Sequence, residues 1–371
     1  MNNNIILGIE AATSVPIFEN PPNIIFWTKN DLYDNDTKYF YSLNHNGGHV
    51  FTDNGPFNLI SKFHFDNIKS GRAKLIINYP FEGDLGENTW YEKPDDLGWL
   101  ENWIRINDID GKNVYLIHGN LRIKEVIKEQ NLSFHGIPYV YFDQINLYEL
   151  PSVQEYHPRD NQNLFLSYAR RPHKHRVYFT NQLLKNNILH RGKVSLSKFD
   201  HPQEDEKDLL KMCPLILDNP NGDNIVGTPQ SSIDHHRETF ISTVLETTVN
   251  PGTLFLSEKI FKPIILSHPF MVLGSKGTLR TLKDLGYQTF DKWIDESYDE
   301  MPLWKDRANH IISELVRFSE LGWEELIELR EEMHSVITYN HQHYKSSIDK
   351  KYENGFSTPF VKALLEIQKT F

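Results

Sequence analysis

Residues 255–275, FLSEKIFKPIILSHPFMVLGS, indicate how the second half of the chain folds. Ser257 is a typical helix N-cap, and the apolar residues that follow it predict a short helix beginning at Glu258. The run PFMVLG at 269–274 then predicts a buried strand. A helix that leads directly into a buried strand is typical of an α/β sheet.

Strand and helix patterns alternate on both sides of this stretch. In the second half, strands are predicted at 164–168, 193–197, 214–218 and 239–248, and helices after 168 and at 278–286, 304–322, 323–340 and 358–371. In the first half, strands are predicted at 23–28, 74–83, 113–120 and 139–148, and helices at 95–107 and 121–131. This alternation predicts parallel sheets in an α/β fold.

Chain length and one polar segment predict the domain organisation. A chain of 371 residues is long enough for two domains. The segment ELPSVQEYHPRDNQN at 149–163 is polar, contains two prolines and is the best linker. We expect two Rossmann-like domains, at 1–155 and 160–345, that face each other across a cleft, and a C-terminal helix at 346–371 that can return to the first domain.

The composition argues against several classes of protein. The net charge of −11 disfavours a surface that binds duplex DNA. Cys213 is the single cysteine, so an internal disulfide is excluded. The beginning of the sequence lacks the basic and apolar regions of a secretion signal, and no segment reaches the ~18 apolar residues of a membrane span. We therefore expect a cytoplasmic protein with at most peripheral membrane contact.

A basic turn follows the predicted strand at 164–168. Arg170, Arg171 and Arg176 lie in the sequence YARRPHKHR, among two histidines and a lysine. Cations are unfavourable at a helix N-terminus unless an anion is bound nearby. Arginine binds phosphate oxygens through two parallel hydrogen bonds. The turn therefore predicts a site for a diphosphate, although a solvated basic helix start is the alternative.

A second charged group stands at the start of the predicted helix in 255–275. Glu258 and Lys262 are four residues apart on one helix face, with Lys259 beside them. An exposed Glu–Lys pair contributes only about 0.3–0.5 kcal/mol. The apolar residues around these charges leave little exposed surface, which indicates a bound partner. Glu258 can accept hydrogen bonds from ribose hydroxyls, and Lys259 or Lys262 can neutralise phosphates.

No pattern of metal ligands is found. The carboxylates of DID at 108–110 come before a predicted strand rather than after one, and DND at 34–36 and EDE at 204–206 are typical of polar loops. His235 and His236 have no third ligand spaced with them, which favours an ordinary loop pair. We expect neither a metal nor a bound cofactor.

Residues 246–290, ETTVNPGTLFLSEKIFKPIILSHPFMVLGSKGTLRTLKDLGYQTF, resemble the donor-binding half of GT-B glycosyltransferases, especially the fucosyltransferase-like group. The resemblance rests on Ser257-Glu258-Lys259 and on the strand at 268–274, and it extends over about residues 160–300. The chain is also similar to glycosyltransferase-like proteins of phage genomes. The additional FKP at 261–263 and TFDKWIDESYDE at 289–300 depart from typical fucosyltransferases, which leaves the sugar open.

The resemblance implies a transfer of a sugar from a nucleotide-diphosphate donor, with a GDP-linked sugar favoured, to a hydroxyl of a glycan or other acceptor. Donor contacts are then implied for Glu258, Lys259 and one of the three arginines. Cations that stabilise the departing diphosphate make a metal unnecessary. An inverting transfer also needs a base from the first domain. The candidates for this base are Glu82, Asp84 and His118, while Glu246 is a candidate for holding a ribose or sugar hydroxyl.

Other functions are compatible with the same patterns. A nucleotide-sugar epimerase or hydrolase would consume the donor without an acceptor. A non-catalytic module would bind a nucleotide or glycan without turnover. A DNA-base glycosyltransferase would need a basic cleft in the first domain, where KFHFDNIKSGRAK at 62–74 is the only strongly basic stretch.

Overall fold

The computed structural model describes residues 5–8, 24–27, 37–44, 56–79, 96–140, 163–217, 230–353 and 364–371. The chain divides into two compact units. Unit 1 comprises Met1–Tyr141 and Ile348–Phe371, and unit 2 comprises Phe142–Ser347. The predicted linker residues 149–162 lie outside the described residues.

Unit 1 is built on a parallel sheet. Its described strands are β1 (Ile5–Gly8), β2 (Ile24–Trp27), β3 (Tyr39–Asn44), β4 (Ala73–Tyr79), β5 (Val114–His118) and β6 (His135–Pro138). They pair in the order β2-β1-β3-β4-β5-β6. Helices α1 (Lys62–Ser70), α2 (Asp96–Ile106) and α3 (Ile123–Glu129) follow β3, β4 and β5. This is the strand-helix alternation predicted for an α/β domain.

The unit 1 sheet is covered on both faces. Leu75 of β4 packs in a core with Leu100 of α2. The next residue, Ile76, belongs to a second core together with Leu364 and Ile367. Successive strand residues point to opposite faces, so both faces carry apolar side chains. Residues 364–368 are helical. The C-terminal residues therefore return to the first unit, as predicted.

Unit 2 contains a second parallel sheet. Its described strands are β7 (Asn163–Tyr168), β8 (Gly192–Ser195), β9 (Thr239–Leu245) and β10 (Phe270–Leu273), in the order β10-β9-β7-β8. The helices are α4 (Lys174–Lys185), α5 (Lys207–Met212), α6 (Gln230–Arg237), α7 (Glu258–Ile265), α8 (Thr278–Asp284), α9 (Trp304–Ser319) and α10 (Trp323–Glu353). Each unit is thus a Rossmann-like α/β domain.

The strand predicted at 214–218 is wrong over its described residues, 214–217. Leu215 makes only an isolated antiparallel bridge to Leu196, and its neighbours form no ladder. Pro214 has no N–H to donate, so it cannot extend a ladder from this point. The predicted strand at 139–148 lies mostly outside the described residues, and Tyr139 and Val140 are not in a strand. Strands β1, β3 and β6 were not predicted.

In the part of the chain that the structure describes, no helix is both long and apolar enough to cross a membrane. The longest described helix, α10, carries charged residues along its length.

Candidate functional site

The residues predicted to bind a donor gather at one edge of the unit 2 sheet. Strands β9, β7 and β8 are neighbours and run parallel, so their carboxyl ends lie side by side. The basic turn follows β7, and Glu246 directly follows β9. Helix α7, with its N-cap at Ser257, begins at Glu258, thirteen residues after the last residue of β9. Open parallel sheets bind their ligands at this edge.

Ser257 caps α7, as predicted. Its hydroxyl oxygen accepts a hydrogen bond from the Lys259 N–H over 3.2 Å. Ile260, Phe261 and Ile264 then turn the apolar face of the helix into the core, where each is at most 1% exposed. The cap and the apolar face together fix the first turn, which carries Glu258 and Lys259.

Glu258 and Lys259 form an ion pair with 2.7 Å between Nζ and Oε1. Lys259 also donates to Thr247 Oγ1 over 3.2 Å. Burial opposes ionisation of Glu258, but the Lys259 charge and hydrogen bond outweigh it and lower the pKa of Glu258 below its usual value. The Glu258 carboxylate is therefore ionised at neutral pH, with its side chain 11% exposed and that of Lys259 24% exposed.

Glu246 lies behind this helix start and is fully buried. Its Oε1 accepts a hydrogen bond from the Ser257 N–H over 3.1 Å, and its Oε2 accepts one from the Ser257 hydroxyl. The Thr247 N–H also donates to Oε2, over 3.2 Å. Burial is the main effect on the carboxyl group and raises the pKa of Glu246. Both oxygens of the Glu246 carboxylate therefore accept hydrogen bonds from Ser257 or Thr247 of the same unit.

Lys262 lies one turn further along α7. Its ammonium group is 5.9 Å from the centre of the Tyr168 ring, a cation–π distance. Lys259, Lys262 and Tyr168 line a small cavity that also touches β9 at Val244 and Leu245. The two lysines therefore share one cavity at the carboxyl ends of β7 and β9.

Arg176 is buried beneath the basic turn. Its guanidinium group donates to the carbonyl oxygens of Leu245 over 3.2 Å and Glu246 over 3.3 Å. It also donates to the carbonyl oxygen of Arg171 over 3.4 Å. Arg170 and Arg171 themselves have exposed side chains. Arg170 and Arg171 of the turn are therefore exposed, and the buried Arg176 stabilises the turn through its bond to the Arg171 carbonyl.

His173 is the N-cap of α4, and its pKa depends on the positive charges around this turn. Burial, followed by the charges of Arg176, Arg171 and Lys259, lowers the pKa of His173 to about 4. The imidazole is neutral at physiological pH, although it is not fully buried. Cations from the basic turn and from α7 therefore act on one point, which is favourable for a bound anion.

The residues predicted to act as a base belong to unit 1. Glu82 and Asp84 lie outside the described residues. His118 ends β5 in unit 1 and is 1% exposed. Its Nδ1 accepts a hydrogen bond from the Asn120 N–H over 2.9 Å, and its ring lies 5.5 Å from that of Tyr79.

His235 and His236 were interpreted as a loop pair, but they lie in the last turn of α6. The Nδ1 of His235 is 2.9 Å from the Tyr168 hydroxyl, and His236 packs edge-on against His268. Among the described residues, no group of three or more potential ligands is placed to hold a metal ion.

One buried residue near this edge was missed in the sequence. Arg307 of α9 is 1% exposed, and it donates to the carbonyl oxygens of Val249 over 3.0 Å and Gly274 over 3.1 Å. It thereby ties the segment after β9 to the segment after β10. The signal was its position four residues before Ile311, on the apolar face of α9.

No protein-family model and no curated protein matches this chain. Several solved structures align with most of this chain at low identity. A mutant of S. aureus TarM in complex with Fondaparinux, alpha-GlcNAc-glycerol and UDP aligns over 91% of this chain at 11% identity, with a TM-score of 0.37. This chain spans 56% of the length of that TarM chain.

Two further structures extend the comparison. A T4 phage BGT mutant in complex with UDP-glucose aligns over 98% of this chain and 97% of its own at 10% identity, with a TM-score of 0.37. The calicheamicin glycosyltransferase CalG4 aligns over 88% of this chain and 77% of its own at 11% identity, with a TM-score of 0.30. At such scores these similarities assign no residue a role.

Proposed function

We propose that this protein is a glycosyltransferase of the GT-B class that moves a sugar from a nucleotide-diphosphate donor to a hydroxyl acceptor. The observation that carries the proposal is the cavity at the carboxyl ends of β7 and β9, which Lys259 and Lys262 line next to the basic turn that follows β7. In the proposal, units 1 and 2 are the acceptor and donor domains. The fucosyltransferase-like subgroup belongs to the proposal as well.

The diphosphate is assigned to the cations of this edge. Lys259, Arg170 and Arg171 contact its oxygens, with Lys262 at the neighbouring cavity and Arg176 supporting the turn from below. Negative charge grows on the diphosphate as the glycosidic bond breaks, so fixed cations stabilise the transition state more than the ground state. We therefore propose a reaction that needs no metal.

The nucleoside is assigned to Glu258. An ionised carboxylate at the surface of the site can accept hydrogen bonds from both ribose hydroxyls. The Lys259 ion pair orients this carboxylate and keeps it charged. A GDP-linked sugar is the favoured donor.

The acceptor side of the proposal rests on unit 1. An inverting transfer needs a base that removes the acceptor proton, and Glu82, Asp84 and His118 are proposed for that role. The acceptor is a glycan or another hydroxyl compound, and nucleic acid is disfavoured by the net charge of −11. A cytoplasmic location is part of the same proposal.

Thermal unfolding with GDP, UDP, CDP and CMP, in EDTA, tests the donor site. A nucleotide at about 100 times its Kd adds about 2.7 kcal/mol to the stability of the fold, which raises Tm by several degrees. We expect one diphosphate to act selectively and Lys259→Ala to reduce its effect strongly. Lys207→Ala is the matched control, because Lys207 pairs with Glu204 on the exposed surface.

Turnover of the matching nucleotide sugar then separates the possible functions. Transfer to a hydroxyl acceptor supports the proposal. Donor consumption without an acceptor indicates a hydrolase or epimerase, and binding without consumption indicates a non-catalytic module. Transfer to a DNA base would indicate a DNA-base glycosyltransferase. If no nucleotide raises Tm, the proposed donor site is refuted.

A further inference from the structure

Glu246 accepts hydrogen bonds on two sides. Its main-chain carbonyl group bonds to α4, and its side-chain carboxylate bonds to the start of α7. Its position directly after β9 puts its main chain against the basic turn and its side chain against the start of α7. These are the two elements to which the proposed function assigns the diphosphate.

The main-chain side of Glu246 faces α4. His175 Nε2 donates to the Glu246 carbonyl oxygen over 2.9 Å, and Arg176 Nη2 donates to the same oxygen over 3.3 Å. Burial and the Arg176 charge lower the pKa of His175 to about 3, so its ring stays neutral. Because Arg176 also bonds to the Arg171 carbonyl, the position of the exposed turn depends on the end of β9.

The side-chain side of Glu246 faces α7. Both carboxylate oxygens accept hydrogen bonds from Ser257, one from its N–H and one from its hydroxyl. The Ser257 hydroxyl oxygen also accepts a hydrogen bond from the Lys259 N–H. Thr247 donates its N–H to the Glu246 carboxylate, and its hydroxyl oxygen accepts a hydrogen bond from Lys259 Nζ. Glu246 therefore acts on the position of Lys259 through two contacts, in addition to the ion pair between Lys259 and Glu258.

We propose that Glu246 is a positioning residue that holds the basic turn and the Lys259 helix start in mutual register. It acts from behind the site and does not touch the donor. This replaces the expectation that Glu246 binds a ribose or sugar hydroxyl, because its side chain is fully buried and both oxygens are already engaged. The effect of Glu246 on catalysis rests on the proposed function. Its effect on the relative position of the basic turn and the start of α7 does not.

Double-mutant cycles on nucleotide affinity test the proposal. Glu246→Gln keeps the size of the side chain but replaces one acceptor oxygen by a donor, which opposes the Ser257 hydroxyl and the Thr247 N–H. We expect Glu246→Gln to raise the Kd of the nucleotide diphosphate about tenfold, as Lys259 loses its alignment. In the Lys259→Ala and Arg171→Ala backgrounds the same change should raise Kd only about twofold.

Asp299→Asn is the matched control. Asp299 is also a buried carboxylate that accepts backbone N–H groups at a helix start, in this case Leu279 and Arg280 of α8. We expect its effect on Kd, if any, to be the same with and without Lys259. A tenfold effect of Glu246→Gln that is unchanged by both second substitutions would overturn the proposal, and so would an unchanged Kd in the single variant.

Hydrogen exchange in the protein without nucleotide keeps the inference separate from the proposed function. Glu246→Gln should speed exchange of the Ser257 and Lys259 amides, whose side of the register loses its acceptor. Displacement of residue 246 also shifts its main-chain carbonyl group, so exchange of the Arg176 and Val177 amides should be faster as well. Faster exchange on the α7 side alone would refute the two-sided register. If the wild-type protein binds no nucleotide, the donor site fails, and this exchange pattern still decides whether Glu246 joins the two elements.

Discussion

Two helix starts at the same edge of the unit 2 sheet use a buried carboxylate in different ways. At α8, both oxygens of Asp299 accept N–H groups of the first turn, over 2.9 and 3.0 Å, so the carboxylate occupies the helix end. At α7, Glu246 bonds to the N-cap Ser257 from behind, which leaves Glu258 and Lys259 at the partly exposed side. At α8 the carboxylate is used entirely to cap the helix, whereas at α7 the charges of Glu258 and Lys259 are left available to a ligand.

The electrostatics follow the same division. Burial raises the pKa of Asp299, against the opposing effect of its two backbone hydrogen bonds. Glu258 is also buried, but the Lys259 charge and hydrogen bond lower its pKa. A carboxylate held only by the backbone is thus less readily ionised than one beside an ammonium group. Substitutions at the two helix starts should therefore affect different properties.

The largest expected effect concerns ligand binding at α7. Hydrogen bonds to charged groups contribute about 1.5–3 kcal/mol, so Lys259→Ala should weaken binding of the nucleotide diphosphate by roughly 10- to 150-fold. Isothermal titration calorimetry measures this loss. The corresponding nucleoside, which has no phosphates, should bind both proteins alike. An equal loss of nucleoside affinity would show that Lys259 does not act on the phosphates.

The next effect concerns stability at α8. Asp299→Ala leaves the Leu279 and Arg280 N–H groups without their carboxylate, and loss of such a cap costs about 0.5–2 kcal/mol. The resulting fall in Tm should be about 1–8 °C for a unit of this size, measured by calorimetry. Nucleotide affinity should stay within about twofold. If Asp299→Ala kept its Tm but bound the nucleotide more weakly, the start of α8 would act in binding and not in stability, contrary to this prediction.

The smallest effect is a difference in pH dependence. The folded-state pKa of Glu258 is lowered, so its stabilising contribution is complete above its unfolded pKa and disappears as pH falls through the folded value. The folded-state pKa of Asp299 is raised, so the folded protein binds the extra proton and the contribution of Asp299 to stability grows as pH falls through that value.

Thermal unfolding of the wild type, Glu258→Gln and Asp299→Asn between about pH 3 and 7 measures this difference, because the ordinary carboxyl pKa values are about 4. The advantage of the wild type over Glu258→Gln should shrink as pH falls. Its advantage over Asp299→Asn should increase over the acid range. Two parallel curves would show that the two carboxylates have the same environment.

Local patterns in the sequence were enough for the α7 start and for most strands of unit 2. Ser257 caps its own helix, and the apolar run at 270–273 forms the buried strand β10. The short strands β1 and β6 have little pattern of their own, since four residues cannot show a clear alternation. Their pairing depends on partners elsewhere in the sheet.

The site was predicted as a set of residue types rather than as an arrangement. The charges of Arg170, Arg171 and Lys259 are visible in the sequence, but burial of Arg176 is not, because its acceptors Leu245 and Glu246 lie about 70 residues away. The contacts of Glu246 with His175 and Ser257 are not visible in the sequence for the same reason. Both depend on contacts between segments that only the folded sheet brings together.

The return of the C-terminal residues to unit 1 has a consequence for synthesis on the ribosome. Leu364 and Ile367 complete the second core of the unit 1 sheet, around Phe40 and Ile76. Unit 2, by contrast, is one continuous stretch of chain, Phe142–Ser347. The unit whose residues emerge first is therefore the last to close its core, and until residues 364–367 have been synthesised its exposed apolar face is where a nascent-chain chaperone would act.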